Sequence, residues 1–288
     1  MFKRLVRLGT FGSITSNGNF QANIPLQGAV TNLMLVTLTG AGVPIAIGSS
    51  IDSISLRAGD AGELVKPMSP TDLVSDALYQ FAGRGFSAIT GVTPVYCAPP
   101  NPNAAERLAY MIGTADLSSL VVEIDTGTLG SVAQVEVWGE RLTGVDFDIM
   151  GLGRHVRLSK ETISTTGTGE KSFDNFPYIG NKGVRLMYIT AKNAAGTGAI
   201  SKAKVEVNDM AEVLAHISTH QFVQRMAGRT PQSNQYSVDF ALENNGMAGL
   251  SLQGVSRLNF TANWSEDPAA AHDVLIKTLH GVNESVGV

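Results

Sequence analysis

The feature that most constrains this chain is an internal duplication, in which two distant segments carry matching residues at nearly constant spacing. Residues 54–74 align with residues 203–223 at an offset of 149. Each segment reads as a strand, a turn, a short apolar strand and then a helix. The aligned pairs are Asp60 with Asp209, Glu63 with Glu212, Ser69 with Ser218 and Val74 with Val223. A matching series of elements at this distance predicts a duplicated domain.

Signals for a helix start occur at the same place in both copies. Ser69 precedes Pro70 and stands three residues before Asp72, a pattern that predicts a helix capped by the serine hydroxyl. Ser218 stands three residues before Gln221, which predicts a capping box. We therefore expect each copy to contain one helix that begins directly after its serine.

The predicted helices also end alike, on the tripeptide Ala-Gly-Arg at residues 82–84 and 227–229. The offset between the copies has fallen to 145 at this point. Glycine adopts the left-handed conformation that ends many helices. We expect that conformation at Gly83 and at Gly228.

Strand patterns fill the remainder of each copy, with about eight candidate strands in each. Residues 120–125 and 258–264 alternate between apolar and polar side chains, as strands with one buried face do. Residues 33–38 and 186–191 are apolar runs typical of a sheet buried on both faces. Sequential strands with hairpin-length and longer loops favour an all-β protein made of two tandem jelly-roll sandwiches.

The predicted division of the chain gives a first jelly roll over residues 1–146 and a second over residues 147–288. The Gly-rich connector over residues 139–153 holds the boundary. The first copy carries an insertion at about residues 85–105 that is rich in proline. Because proline cannot donate to a sheet ladder, the stretch 94–102 is predicted to be a surface loop or a projecting tower.

Composition limits the functions that the chain can have. Of the 288 residues, 43% are apolar and 16% are charged, and the net charge is −4. Neither half has the basic surplus of a nucleic-acid surface, so nucleic acid is not expected as the main partner. The single cysteine, Cys97, excludes an internal disulfide framework. With no signal-peptide pattern and no apolar run of ~20 residues, we expect a soluble, unsecreted chain.

Histidine pairs were considered as metal ligands. His216 and His220 have the i, i+4 spacing of a zinc-protease helix, but Ile217 stands where that motif needs glutamate. With Ser218 as the cap, His216 would lie outside the helix. The other histidines are scattered and suggest no cupin-like ligand set: His155, His272 and His280.

Acidic residues near the first helix were considered as a calcium site. They lack the spacing of a calcium loop and fit turn formers and helix-start charges better. The residues are Asp52, Asp60, Asp72 and Asp76. A structural calcium between subunits remains open, with no ligands assigned. No catalytic, cofactor-binding or metal-binding residue is assigned, and no enzyme is expected.

Basic residues begin both copies at the same domain position. They could meet lipid phosphates or a scaffold, or they could be ordinary solvated strand ends. The two groups are Lys3, Arg4 and Arg7 in the first copy, and Arg154, His155 and Arg157 in the second.

The order and duplication of these elements resemble the double jelly-roll major capsid proteins of membrane-containing icosahedral bacteriophages, and among them the P2 type. The likeness spans the whole chain, and its most specific motif is the strand, turn, strand and helix at residues 205–223. The resemblance implies a virion structural protein made in the host cytoplasm, a homotrimer with six jelly rolls in a pseudo-hexagonal capsomer. It further implies lattice contacts with neighbouring capsomers, and penton, minor capsid and membrane proteins as partners.

The same resemblance makes the segment with Lys3, Arg4 and Arg7 a candidate for contact with the inner viral membrane, and residues 94–102 a candidate tower. The alternative is a carbohydrate-binding or adhesin module on a similar sandwich. Such a module would be expected to cluster exposed aromatic residues, which make up only 7% of this chain. A two-domain cupin-like enzyme would need metal ligands that the sequence does not offer.

Overall fold

A computed structural model describes residues 2–48, 50–99, 108–163, 167–192, 200–208, 210–232, 235–242, 249–265 and 272–281. Of residues 2–4, 211–216 and 272 it describes the backbone only. The chain divides into two compact units, Met1–Arg157 and Leu158–Val288.

The first unit contains nine strands and two α-helices among its described residues. Its strands are β1 (Phe2–Thr10), β2 (Asn19–Asn23), β3 (Ala29–Leu38), β4 (Ile51–Ala58), β5 (Gly62–Met68), β6 (Val92–Tyr96), β7 (Ile112–Gly113), β8 (Leu120–Thr126) and β9 (Gln134–Thr143). Its helices are α1 (Pro70–Phe81) and the single turn α2 (Val145–Asp148).

The second unit repeats the series. Its strands are β10 (His155–Ile163), β11 (Gly169–Phe173), β12 (Arg185–Lys192), β13 (Ile200–Val207), β14 (Met210–His216), β15 (Gln235–Asp239), β16 (Leu250–Ser251), β17 (Leu258–Trp264) and β18 (His272–His280). The first of these strands starts three residues before the division between the units. The helix α3 (Ile217–Met226) follows β14 as α1 follows β5.

Strand order shows the duplication directly. The first unit has one sheet in the order β1-β9-β3-β6 and a second with β5-β4-β8-β2. The second unit has β15-β12-β18-β10 and β11-β17-β13-β14. Setting aside β7 and β16, each unit pairs its strands as 1-8-3-6 and 2-7-4-5. The two short strands also match, since β7 pairs with β3 and β16 pairs with β12. Each unit is therefore a jelly roll, as predicted.

The core of each unit lies between its two sheets. In the second unit one cluster joins Ile189 and Ile276 from one sheet to Val205 and Phe260 from the other, with fully buried Trp264 beside them. Strand β17 alternates strictly between buried and half-buried residues. Strand β12 is buried on both faces, as predicted, whereas β3 alternates between buried and half-buried positions and so is more open on one face.

The first helix begins as the sequence predicts, and the second does not. The Ser69 hydroxyl accepts a hydrogen bond from the Asp72 backbone N–H at 3.2 Å, with Pro70 as the first helical residue. Ser218 is not a cap, because β14 runs straight into the helix and α3 begins one residue earlier, at Ile217. His216 lies in the strand and so shares no helical face with His220.

The C-terminal end of α3 agrees with the prediction, and that of α1 does not. Gly228 adopts the left-handed conformation, at φ 79°, as predicted. Gly83 does not, because residues 82–84 continue α1 as a turn of 3-10 helix. The left-handed residue there is Gly85, at φ 94°, two positions later.

The proline-rich insertion is largely not a tower. Residues Val92–Tyr96 form β6, which pairs with β3 at the edge of the sheet and places Pro94 opposite Met34. Proline is compatible with an edge strand, which has a free hydrogen-bonding side. Ala98 and Pro99 are also buried. The rest of the predicted tower, residues 100–102, lies outside the described residues.

The connector between the units is shorter than predicted. Strand β9 continues to Thr143, pairing with Phe2 of β1 at its end, so the first five residues of the predicted connector belong to the sheet. Helix α2 and a short irregular segment then lead to β10.

Candidate functional site

The helix α3 directs polar residues toward the protein interior. Gln224 is its one fully buried described residue, and its side-chain amide donates to the Ser237 carbonyl of β15 at 2.5 Å. His220 stacks on the buried ring of Tyr236, with ring centroids 5.5 Å apart and planes 16° from parallel. Ser237 of β15 accepts a hydrogen bond from Gln224, whereas the Nε2 atom of His220 is buried without a hydrogen-bond partner among the described residues.

A buried ion pair fixes the end of the same helix. Arg229 Nε donates to Asp239 Oδ2 at 2.8 Å, and both side chains are almost fully buried. The other carboxylate oxygen, Oδ1, accepts from the Ala241 backbone N–H at 2.8 Å. The Arg229 backbone N–H in turn donates to the Gln224 carbonyl. This network joins the end of α3 to β15, while Ile217 at its start packs against the apolar core.

Ionisation of the groups beneath α3 follows from their burial. Burial lowers the pKa of His220, and a hydrogen bond with the Ser237 backbone and the charge of Asp239 offset part of that effect. Burial raises the pKa of Tyr236 to about 12. Both rings are therefore neutral at pH 7, and the Arg229–Asp239 pair carries the charge of this layer.

The outer face of α3 is apolar and open to solvent. Phe222 is 65% exposed and Met226 is 76% exposed, and Val223 beside them is also exposed. Residues 222 and 226 lie one turn apart and Val223 is three residues before Met226, so the three side chains share a face. We call this set the α3 apolar face. A contiguous exposed apolar patch of this kind often marks an interaction surface.

In the first unit the corresponding helix is covered. Leu73, aligned with Phe222, and Phe81, aligned with Met226, are both 3% exposed. Tyr110, which follows the insertion, packs its ring on Phe81, with centroids 6.0 Å apart, and its hydroxyl donates to Gln80 at 3.1 Å. Tyr96 of β6, within the insertion, lies against Tyr110. Tyr110 thus covers Phe81 of α1.

An apolar groove opens near the start of α1. It has a volume of about 250 Å³ and is lined by Ile47, Pro70, Val74, Ile89 and Val92, together with small residues and threonines. No charged side chain lines it. Ile89 is 65% exposed at its rim. We call it the α1 groove.

The predicted basic segments differ in how they are placed. Arg7 is exposed and pairs with Glu136 of β9 at 2.9 Å. Arg157, the last residue of the first compact unit, is half-buried there. It donates to the Ala61 carbonyl at 2.7 Å and to His155 Nε2 at 3.2 Å. The side chains of Lys3 and Arg4 lie outside the described residues. Arg157 and His155 therefore do not form a free basic surface.

His155 is held neutral by its surroundings. Burial is the main cause that lowers its pKa, the charge of Arg157 adds to it, and a hydrogen bond to the Gly153 carbonyl opposes it. Since Nε2 accepts from Arg157, Nδ1 is the protonated nitrogen that donates to that carbonyl.

The residues considered as metal ligands are dispersed. Asp72 and Asp76 are buried on α1, where Gln80 donates to Asp76 Oδ2 at 2.7 Å, while Asp52 is exposed on β4. Across the described ranges, no three His, Cys, Asp or Glu side chains cluster as a metal site. The side chains of His216 and His272 lie outside the described residues. Among the described helices, none combines the length and apolar character needed to cross a membrane.

Sequence reasoning missed the α3 apolar face. Apolar residues at positions 222, 223 and 226 of an amphipathic helix normally predict the buried side. The signal that could have revealed their exposure is the insertion of the first copy, since the second copy has no equivalent segment to cover its helix.

Comparison with known protein families gives a match that covers most of the second unit. Residues 156–282 match the family model of the viral coat protein P2 C-terminal domain. None of the curated protein sequences matches the chain. The second unit is thus similar to the viral coat protein P2 C-terminal domain over nearly its whole length.

Solved structures match over nearly the full length. The major capsid protein P2 from bacteriophage PM2 has 13% identity and a TM-score of 0.75, with 97% of each chain covered. The STIV MCP has 12% identity and a TM-score of 0.67, again with 97% of each covered. The PBCV-1 virus capsid model has 11% identity and a TM-score of 0.58, covering 96% of this chain and 92% of that one. The chain therefore has the double jelly-roll fold of these proteins, as the sequence predicted.

Proposed function

We propose that this double jelly-roll chain, whose second unit matches the viral coat protein P2 C-terminal domain, is the major capsid protein of an icosahedral virus. The observation that carries the proposal is the likeness to the PM2 coat protein over 97% of both chains, at a TM-score of 0.75. The protein acts in the virion as a shell component and not as an enzyme.

The physical properties of the chain suit a shell. Each unit is a sandwich with a continuous core, which resists deformation because packed cores are dense. The low charged fraction, 16%, permits close contacts between copies with little desolvation of charge. The sheet edge at β6 carries Pro94, which limits uncontrolled strand pairing.

The assembly unit in this proposal is a homotrimer, in which three chains contribute six jelly rolls to a pseudo-hexagonal capsomer. Neighbouring capsomers form the lattice, and penton, minor capsid and membrane proteins complete the particle. The segment with Lys3, Arg4 and Arg7 faces an inner viral membrane, where basic side chains are attracted to lipid phosphates. A structural calcium between subunits is part of the same proposal, without assigned ligands.

The test is the native mass of the purified chain by light scattering, with and without a chelator. A stable species of three times 30.4 kDa is expected. Loss of the trimer on chelation would support an interfacial ion, whereas an unchanged trimer would remove calcium from the proposal. A monomer that binds a glycan would contradict the capsid function and favour a carbohydrate-binding module.

A further inference from the structure

The helix α3 has the reverse of the usual amphipathic arrangement for a surface helix. Its inner side places the polar Gln224 and His220 beside Ile217, and the Arg229–Asp239 pair lies at its end, while Phe222 and Met226 point to solvent. Exposure of large apolar side chains is unfavourable by about 25 cal/mol per Å². Phe222 and Met226 therefore form an apolar surface whose burial by a partner would be favourable.

The first unit shows what kind of cover this helix position receives. There Tyr110, which follows the insertion, packs on Phe81, so the equivalent face is buried by the chain itself. The offset between the copies falls from 149 at the helix start to 145 at its end, a difference of about one helical turn. Leu73 and Phe81 therefore occupy the same helix face as Phe222 and Met226.

The same chain also exposes an apolar groove. The α1 groove has a volume of about 250 Å³, and its lining carries no charge. An aromatic side chain is the type of anchor that fills such a pocket at protein interfaces. Phe222 is exposed to solvent in the single chain, so its ring is available to a second molecule.

We infer that the α3 apolar face of one copy docks into the α1 groove of a second copy, with Phe222 as the anchor. This deepens the proposed function, on which it rests, by naming residues of the contact within the trimer. A knob on the second unit that meets a groove on the first unit is a heterologous contact. Such contacts propagate around a ring and close when the rotation permits, as in a trimer.

The first test introduces charge on each side of the contact. Phe222→Glu and, separately, Ile89→Glu place a carboxylate in an apolar interface, and each should reduce the mass by light scattering from the trimer toward 30.4 kDa. Both positions are exposed in the single chain, so each variant should fold with an unchanged circular dichroism spectrum. Ile149→Glu, at a site that is 74% exposed and outside both surfaces, is the matched control and should remain trimeric.

A second test asks whether the two surfaces meet each other. Cysteines at positions 222 and 89, in a Cys97→Ser chain, should be joined between copies by a short bismaleimide and give covalent dimers and trimers. Either cysteine alone should give only monomer. A trimer that persists in both glutamate variants, or cross-linking by the Phe222→Cys chain alone, would overturn the inference. A wild-type chain that is not trimeric would instead contradict the proposed function.

Discussion

Helices α1 and α3 stand at the same place in two jelly rolls of identical strand order, yet their environments are opposite. α1 buries Leu73 and Phe81, and Tyr110, which follows the insertion, packs on Phe81. α3 exposes the aligned Phe222 and Met226 and buries Gln224. The fold therefore fixes where the helix lies, while the segment that follows it determines which face is covered.

The contrast extends to what holds each helix in place. α1 is held by aromatic packing and by the hydrogen bond from Tyr110 to Gln80. α3 is held by the buried pair of Arg229 and Asp239. Because polar contacts hold the inner side of α3, its outer apolar side remains accessible to another molecule. In one copy the chain itself covers the outer face of the helix, whereas in the other copy this face is exposed.

The two tryptophans provide a separate reporter for each unit. Trp138 lies in β9 of the first unit and Trp264 lies in β17 of the second. Urea unfolding followed by fluorescence can therefore be assigned to one unit in Trp138→Phe or Trp264→Phe backgrounds.

Removing the buried arginine should produce the largest difference between the units. Arg229→Ala leaves Asp239 as a buried, uncompensated charge, and the second unit should lose about 3–5 kcal/mol of unfolding free energy. Arg84→Ala, at the matching position of the tripeptide Ala-Gly-Arg, is the control. Arg84 is half-buried and should cost the first unit less. Equal losses in both units would show that the pair does not hold α3.

Truncating Tyr110, which covers α1, should lower the stability of the first unit, whereas truncating the exposed Phe222 of α3 should not lower that of the second. Tyr110→Ala creates a cavity over Phe81 and should cost the first unit about 3 kcal/mol. Phe222→Ala, measured in the dissociated Ile89→Glu chain, should change the second unit by less than about 0.5 kcal/mol. A large loss from Phe222→Ala in that chain would mean that Phe222 is part of the core.

The helix starts give a smaller contrast. Ser69→Ala removes the bond to the Asp72 N–H and should cost about 1 kcal/mol. Ser218 lies inside the first turn of α3 and is exposed, so Ser218→Ala should change stability by less than about 0.5 kcal/mol. Both changes are measured by the same urea titration. A loss at Ser218 equal to that at Ser69 would favour the predicted cap over the observed helix start.

Acid should weaken the attachment of α3 by a modest amount. Burial lowers the pKa of His220 below 6.5, so the unfolded chain takes up a proton that the folded chain resists. The second unit should therefore lose stability as the pH falls below about 6.5, and the loss should level off once the folded chain also binds the proton. His220→Phe keeps a ring on Tyr236 but cannot titrate, so its stability should depend less on pH. An unchanged pH dependence would argue against this role of His220.

Most of the fold could be predicted from the sequence, because duplication and strand alternation are set locally. The cap at Ser69, the alternation of β17 and the left-handed Gly228 follow from short patterns. The edge strand β6 was not predictable from its prolines, since tolerance of Pro94 depends on which neighbour is missing. The predictions at Gly83 and Ser218 were wrong because the neighbouring segments set the helix ends. A turn of 3-10 helix extends α1 past Gly83, and β14 runs directly into α3 before Ser218.

The candidate site could not be predicted in the same way. Whether Phe222 faces the core or solvent depends on Gln224, Arg229 and their partners in β15, which lie up to 17 residues further along the chain. Periodicity marks an apolar face but does not state whether the same chain covers it. The structure is needed to tell whether the apolar face of a helix is buried in the core or exposed to solvent.

The most direct measurement is hydroxyl-radical footprinting of Met226 and Phe81 in the assembled wild-type protein and in the dissociated Ile89→Glu chain. We expect slow oxidation of Phe81 in both samples, because Tyr110 of the same chain covers it. Met226 should be oxidised slowly in the assembly and quickly in the dissociated chain. Equally fast oxidation of Met226 in both samples would show that no second copy covers α3 and would contradict the account.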